Sequence, residues 1–447
     1  MAAGHDRSNK GGALLHHLPR RRGTVALLVL GAVLLSASPA EAGLGDGIRF
    51  GPGRLKLGVE AGARYDSLAA VGVVGTLGGT TTDPGDGLGV FTGAFDLQVP
   101  GESARISLRG HLDWNQYMDL QADLAAFSYA SAAVEGTAAF NPDGAFGLDL
   151  GETLNRSDQT DNPLFGVGVL GLQNTSNARL RLRPGGGAIE IGLGYTFGAD
   201  LFSPQVGVTN SDKYAACDND PTCDPLVASA YNTLSSTVAL DAKWHLFPKT
   251  GFTLQVSYGW WSYMYGSSVQ GTQAASPLQA MLGFGTLLNT RFTFAIRAGY
   301  EAMFFASSQT ARLDDAIGQA EIGYRVSETL STRVGFQRSD QPLAGSTLFF
   351  GDNRLYWDLR GEFNRFVLTA SASLDFVGYG PAGTSSARQD TGGSGTLEAD
   401  YHLNDWLRVT SNVGLSTRSV ANVANASSNL AYDYTRWEFG LGLATLF

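Results

Sequence analysis

The last sixteen residues, Tyr432 to Phe447 (YDYTRWEFGLGLATLF), constrain this chain more than any other stretch. Thr435, Trp437, Phe439, Leu441, Leu443 and Thr445 alternate with Arg436, Glu438, Gly440, Gly442 and Ala444. One set is mostly apolar and the other is charged or small. Period two is the periodicity of a β-strand, in which successive side chains point to opposite sides of the sheet. A sheet made of such strands separates an apolar medium from a wet one.

Residues 1–42 read as an export signal. Arg20, Arg21 and Arg22 precede the apolar run Thr24 to Leu35, and Ala40-Glu41-Ala42 forms an A-x-A cleavage site before Gly43. That run is shorter than the roughly 20 residues a spanning helix needs. Removal of the signal takes away five basic and two acidic residues, so the remaining domain, 43–447, is more acidic than the net −10 of the whole chain. Such a surface argues against a nucleic-acid partner. No later apolar run reaches helix-spanning length, which excludes a helical membrane protein.

The alternation recurs along the whole domain. Leu55 to Asp66 sets Leu57, Val59, Ala61 and Ala63 against Lys56, Glu60 and Arg64. A one-residue slip would place Lys56 and Arg64 in lipid at a cost of about 2–4 kcal/mol for each near the midplane, so the register is fixed. Similar strands meet at Pro100 to Ser103, Asn141 to Gly144, Pro184 to Gly187, Phe247 to Gly251, Asn289-Thr290, Ser327 to Thr329, Asn364-Arg365 and Asn404-Asp405, all rich in turn-forming residues. Leu124 to Phe140, dominated by Ala and Ser, has the weakest pattern. The reading gives eighteen strands, with eight short turns alternating with nine longer loops. Sixteen is the alternative if the strands at 124–140 and 179–183 are misread, because both termini must lie on one side.

This strand, ending on an aromatic residue, resembles the closing strand of bacterial outer-membrane β-barrels. The resemblance implies an all-β, transmembrane, antiparallel up-and-down barrel with short periplasmic turns and long external loops. It also implies assembly-machinery recognition of the strand ending at Phe447, contact with outer-membrane lipid and lipopolysaccharide, and a possible homo-oligomer. At this girth the lumen is wider than side chains fill. The wall facing it is expected to include Lys56, Glu60, Arg64, Arg105, Arg109, Asp113, Arg179, Arg181, Arg183, Arg297, Glu301, Arg333, Arg354 and Arg360. Many of these are expected to pair as ladders between strands; unpaired ones would set the field across a pore.

The third external loop, Ser157 to Thr175, holds the apolar segment Pro163 to Leu172. In general porins this loop folds into the barrel, and Pro163-Leu164-Phe165-Gly166 resembles a Pro-x-Phe-Gly sequence found there. The resemblance implies a constriction loop carrying Asp161, Pro163, Phe165 and Gly166, with its acids facing Arg179, Arg181 and Arg183. Packing on a neighbouring protomer or on lipopolysaccharide is the alternative. Trp261, Tyr263 and Tyr265 share a parity that points inward and suits a sugar track, or else they belong to the outer aromatic girdle.

Cys217 and Cys223 of an exported protein are expected to form a disulfide in the fourth loop. Calcium held by Asp218, Asp220 and Asp224 is the alternative, but the glycine of a calcium loop is absent. Neither a metal nor a cofactor is expected. Only His111, His245 and His402 follow the signal and no G-x-S-x-G occurs, so the chain does not read as an enzyme. The leading function is diffusion of small hydrophilic solutes. A barrel for polysaccharide export and a non-conducting adhesin or receptor are the alternatives.

Overall fold

The computed structural model describes residues 47–67, 85–118, 128–157, 169–204, 232–264, 274–305, 313–342, 349–380, 389–421 and 433–446. A three-residue strand, β1 (Ile48–Phe50), precedes eighteen long ones. The first nine are β2 (Gly53–Asp66), β3 (Asp86–Val99), β4 (Ala104–Tyr117), β5 (Tyr129–Phe140), β6 (Phe146–Ser157), β7 (Val169–Leu182), β8 (Ile189–Pro204), β9 (Thr233–Phe247) and β10 (Thr250–Tyr263). The other nine are β11 (Ala275–Leu287), β12 (Phe292–Phe305), β13 (Leu313–Arg325), β14 (Leu330–Pro342), β15 (Phe349–Phe363), β16 (Phe366–Gly380), β17 (Gln389–His402), β18 (Leu407–Ala421) and β19 (Tyr434–Leu446). Each long strand pairs antiparallel with its chain neighbours, and β19 pairs back onto β2, so the sheet closes.

The closed sheet leaves no long edge, as a membrane requires of β-structure. Connections of two to six residues alternate with connections of six to twenty-eight, and both ends of the barrel domain lie at the short-turn end. The short turns are built by the residues that mark them in the sequence. The Asn289 side chain accepts hydrogen bonds from the N–H groups of Arg291 and Phe292 at 2.7 and 2.8 Å. Asn404 does the same for Trp406 and Leu407 at 3.1 and 2.8 Å. Asn141 and Asn364 each adopt φ of 50°, a left-handed conformation that Asn tolerates better than most residues.

The long strands face two media. Leu112, Leu193, Leu282, Leu374 and Leu441 are all more than half exposed, and Trp114, Trp244, Trp260 and Trp437 lie on the same outer surface. An apolar exterior of this extent is a lipid-facing belt. Strand lengths of 12 to 16 residues suffice to cross it at a tilt.

Several boundaries differ from the sequence reading. β3 begins at Asp86, where Gly87 and Gly89 interrupt any apolar alternation in the sequence. The strand read from Leu124 starts at Tyr129 within the described residues. β1 was not legible at all: it pairs Ile48 with Leu55 and Phe50 with Gly53, on the stretch of β2 that β19 does not reach. Barrel closure staggers its first and last strands; β1 covers the backbone edge that this stagger leaves.

The largest change concerns the third loop. Val169 to Leu172, expected inside an infolded apolar segment, belong to β7 and pair with Pro204 to Leu201 of β8. Within the sheet, Leu170 is 2% exposed. Asp161, Pro163, Phe165 and Gly166 lie outside the described residues, as do Cys217, Cys223, Tyr265 and Phe447.

Candidate functional site

The wall that faces the lumen is the functional surface the fold defines, because its side chains alternate with those of the lipid-facing belt. On β2 it carries Lys56, Glu60 and Arg64; on β4, Arg105, Arg109, His111 and Asp113. Its charges are braced against one another. Arg109 donates to Glu135 through Nε at 2.9 Å, and Arg105 pairs with Asp143 in the turn after β5. Arg64 donates to the Tyr129 hydroxyl at 3.1 Å. Glu60 accepts from Thr410 at 2.7 Å across the seam.

The three arginines that stand out in the sequence at 179, 181 and 183 do not form a free basic wall. Arg179 is held by Asp241 and by Glu190 at 3.1 Å. Arg181 meets Asp149 at 3.2 Å, with 11% of its side chain exposed. Arg183 lies just past β7, donating to Glu190 at 2.8 Å and to the Pro142 carbonyl at 2.8 Å. These residues sit at the short-turn end of β7, whereas residues 158–168 join β6 to β7 at the other end. About ten strand residues intervene, on the order of 30 Å at the usual rise. Asp161, the acid expected to face these arginines, lies outside the described residues.

A second network occupies β13 to β16. Arg333 donates to Asp358 at 2.7 and 2.9 Å, lies 3.5 Å from Glu321 and sits over the Tyr356 ring, 5.7 Å from its centre. The Tyr356 hydroxyl in turn donates to Glu321 at 2.8 Å. Arg354 pairs with Asp375, and Arg360 with Glu362 at 2.7 Å. Glu301 departs from expectation: it has the inward parity of Arg297, yet it is 1% exposed. Parity fixes the side of a sheet but not the depth of cover, so Glu301 is not part of the water-facing wall.

Trp261 and Tyr263 share the sheet face of Gln255, opposite to exposed Trp260. Their rings meet edge to face, with centres 4.7 Å apart. Trp261 also packs against the buried pair Ala275 and Met303. His111 lies mid-strand, 3.6 Å from Asp113, and the two share an inner recess of ≈ 390 Å³ with His402, Glu60 and Arg408. Among the described residues, no group of three or more His, Cys, Asp or Glu is arranged to hold a metal ion.

A closed barrel of eighteen antiparallel strands, apolar outside and charged within, defines an integral outer-membrane β-barrel of porin-like architecture. No protein-family model and no curated protein matches the sequence. Among solved structures, the outer membrane protein OpdK from Pseudomonas aeruginosa is similar over 88% of this chain and 99% of its own, at 11% identity and a TM-score of 0.44. OccK2 (OpdF) from the same organism matches over 88% and 98%, at 10% identity and a TM-score of 0.45. The siderophore receptor PirA, also from Pseudomonas aeruginosa, matches over 88% and 80%, at 9% identity and a TM-score of 0.39.

Proposed function

We propose that this barrel is a passive channel for small hydrophilic solutes. The observation that carries the reading is the direction of its ion pairs: each one recorded among the described residues joins strands no more than two places apart in the ring. Among the described residues these pairs thus run along the wall rather than from one side of the lumen to the other. Eighteen strands enclose more space than side chains fill, which suits an aqueous path. Purified protein in a planar bilayer is expected to give discrete conductance steps. A folded, heat-modifiable barrel that gives none would overturn the channel, and loss of surface polysaccharide on gene deletion would then favour polymer export.

Within this reading, Trp261 and Tyr263 offer ring surface to a sugar on the inner wall. Aromatic faces stack on the apolar face of a pyranose while nearby polar groups bond its edges. Quenching of tryptophan fluorescence by maltohexaose, lost in Trp261→Ala, is the expected result. Equal quenching in the variant would remove the sugar track and leave Trp261 as a packing residue.

A further inference from the structure

We infer that the wall of β9 to β12, near the short turns, holds a binding site for an oxyanion group, carboxylate or phosphate, on a small solute. This deepens the channel reading and rests on it for its role in transport, though not for its existence. Two adjoining recesses of ≈ 340 and ≈ 360 Å³ share Lys243, Thr253 and Arg297. The first also takes in Lys249 and His245 and has no acidic residue in its lining.

Register explains why these cations converge. Lys243 lies opposite Thr253, Thr253 opposite Gly283, and Gly283 opposite Arg297, so one row across four strands carries a cation at each end and small residues between. The absence of a side chain at Gly283 is what opens the middle. A Cβ there would stand 2.9 Å from Cγ of Arg297 and collide with the Thr253 hydroxyl. Gly283 lines only the second recess, whose wall also holds Arg179, Glu190 and Asp241; Lys243 and Arg297 flank the gap that Gly283 leaves there.

The acids that would ordinarily neutralise this row are committed elsewhere. Glu190 is the register partner of Lys243, but its carboxylate goes to Arg183 and Arg179. Asp241, two residues along the same face, also goes to Arg179. On the far side Glu321 is taken by Tyr356 and Arg333. Among the described residues, Lys243, Lys249 and Arg297 are left with no ion pair, whereas Arg179, Arg181 and Arg183 all have one. Free cations around a small-residue hollow provide the charge-assisted donors an oxyanion needs, and a guanidinium can grip it with two parallel bonds.

The test is calorimetric titration of the full mature barrel in detergent with inorganic phosphate and, in parallel, with gluconate, which separates the two oxyanion types. Saturable binding of at least one is expected. It should weaken about tenfold or more in Arg297→Gln and in Lys243→Gln, the loss expected from a charged hydrogen bond. Gly283→Ala keeps every charge but fills the hollow, and is expected to weaken binding similarly. Arg365→Gln, which removes a cation from a distant turn, should leave it unchanged. Heat-modifiable mobility of each variant confirms folding. No saturable binding of either probe, or binding unaltered in Arg297→Gln and Lys243→Gln, overturns the site. Binding without conductance steps would instead sink the channel and leave the site standing.

Discussion

Arg436, near the start of the last strand, grips the carboxylate of Asp66, at the end of the first barrel strand, through Nε at 3.1 Å and Nη2 at 2.6 Å. Both side chains are 6% exposed, so this bidentate pair is buried where the two ends of the chain's sheet meet. It staples the seam at the end opposite the short turns. Arg436 also meets Glu438 at 2.9 Å, so removing Asp66 leaves the guanidinium a partner and costs less than the about 3–5 kcal/mol typical of a wholly stranded buried charge. Asp66→Ala is expected to lower the urea midpoint for loss of the heat-modifiable form accordingly. An Asp66→Ala barrel as stable as the parent would show that this ion pair does not hold the seam.

The boundary at Val169 makes the third loop testable in two steps. Deletion of residues 162–168 removes only the connection between β6 and β7. It should leave a folded barrel, and its conductance reads whether the segment narrows the pore: a several-fold rise is expected if it does, no change if it lies outside. Extending the deletion through Gln173 takes away Val169 to Leu172, whose backbone pairs with Leu201 to Pro204. That longer variant is expected to lose its heat-modifiable folded form. Two equally stable deletions would contradict the assignment of β7.

Asn364 supplies a smaller, sharper check of turn chemistry. It occupies a two-residue turn at φ of 50°, where a β-branched side chain crowds the following carbonyl. Asn364→Val is expected to be about 1–2 kcal/mol less stable than Asn364→Gly by urea titration. Equal stability of the two would mean that the turn relaxes out of the left-handed region.

What was legible in the sequence was local. Alternation fixed which face of each strand meets lipid, Asn289 and Asn404 marked turns because their side chains bond backbone within three residues, and Asn364 because Asn tolerates a left-handed φ. Relationships between distant strands were not legible. Nothing near Arg179 in the chain shows that Asp241, 62 residues on, will neutralise it. Arg297 was readable as a wall residue, but the row it forms with Lys243 exists only once the registers of β9 to β12 are known. β1 escaped because three residues carry no period, and its reason for existing is the stagger of the closed sheet. Glu301 misled for a related cause: its inward parity is a local property, whereas its cover is supplied by the surrounding tertiary structure.

The division of the sheet into lipid and water faces is open to a direct test on adjacent residues. Leu374 stands outward near the middle of β16 and is 52% exposed. Its neighbour Ser373 points to the other side, donating to Asp375 at 3.0 Å and sharing a hydrogen bond with Ser394 at 2.9 Å. A lysine at 374 must enter hydrocarbon, at about 2–4 kcal/mol near the midplane. A lysine at 373 enters a wet wall beside a carboxylate, where changes typically stay within about 1 kcal/mol. Leu374→Lys should therefore fold poorly into vesicles and unfold at markedly lower urea, while Ser373→Lys stays close to the parent. If the two variants lose stability equally, position 373 does not face water and the lumen is not the aqueous surface described here.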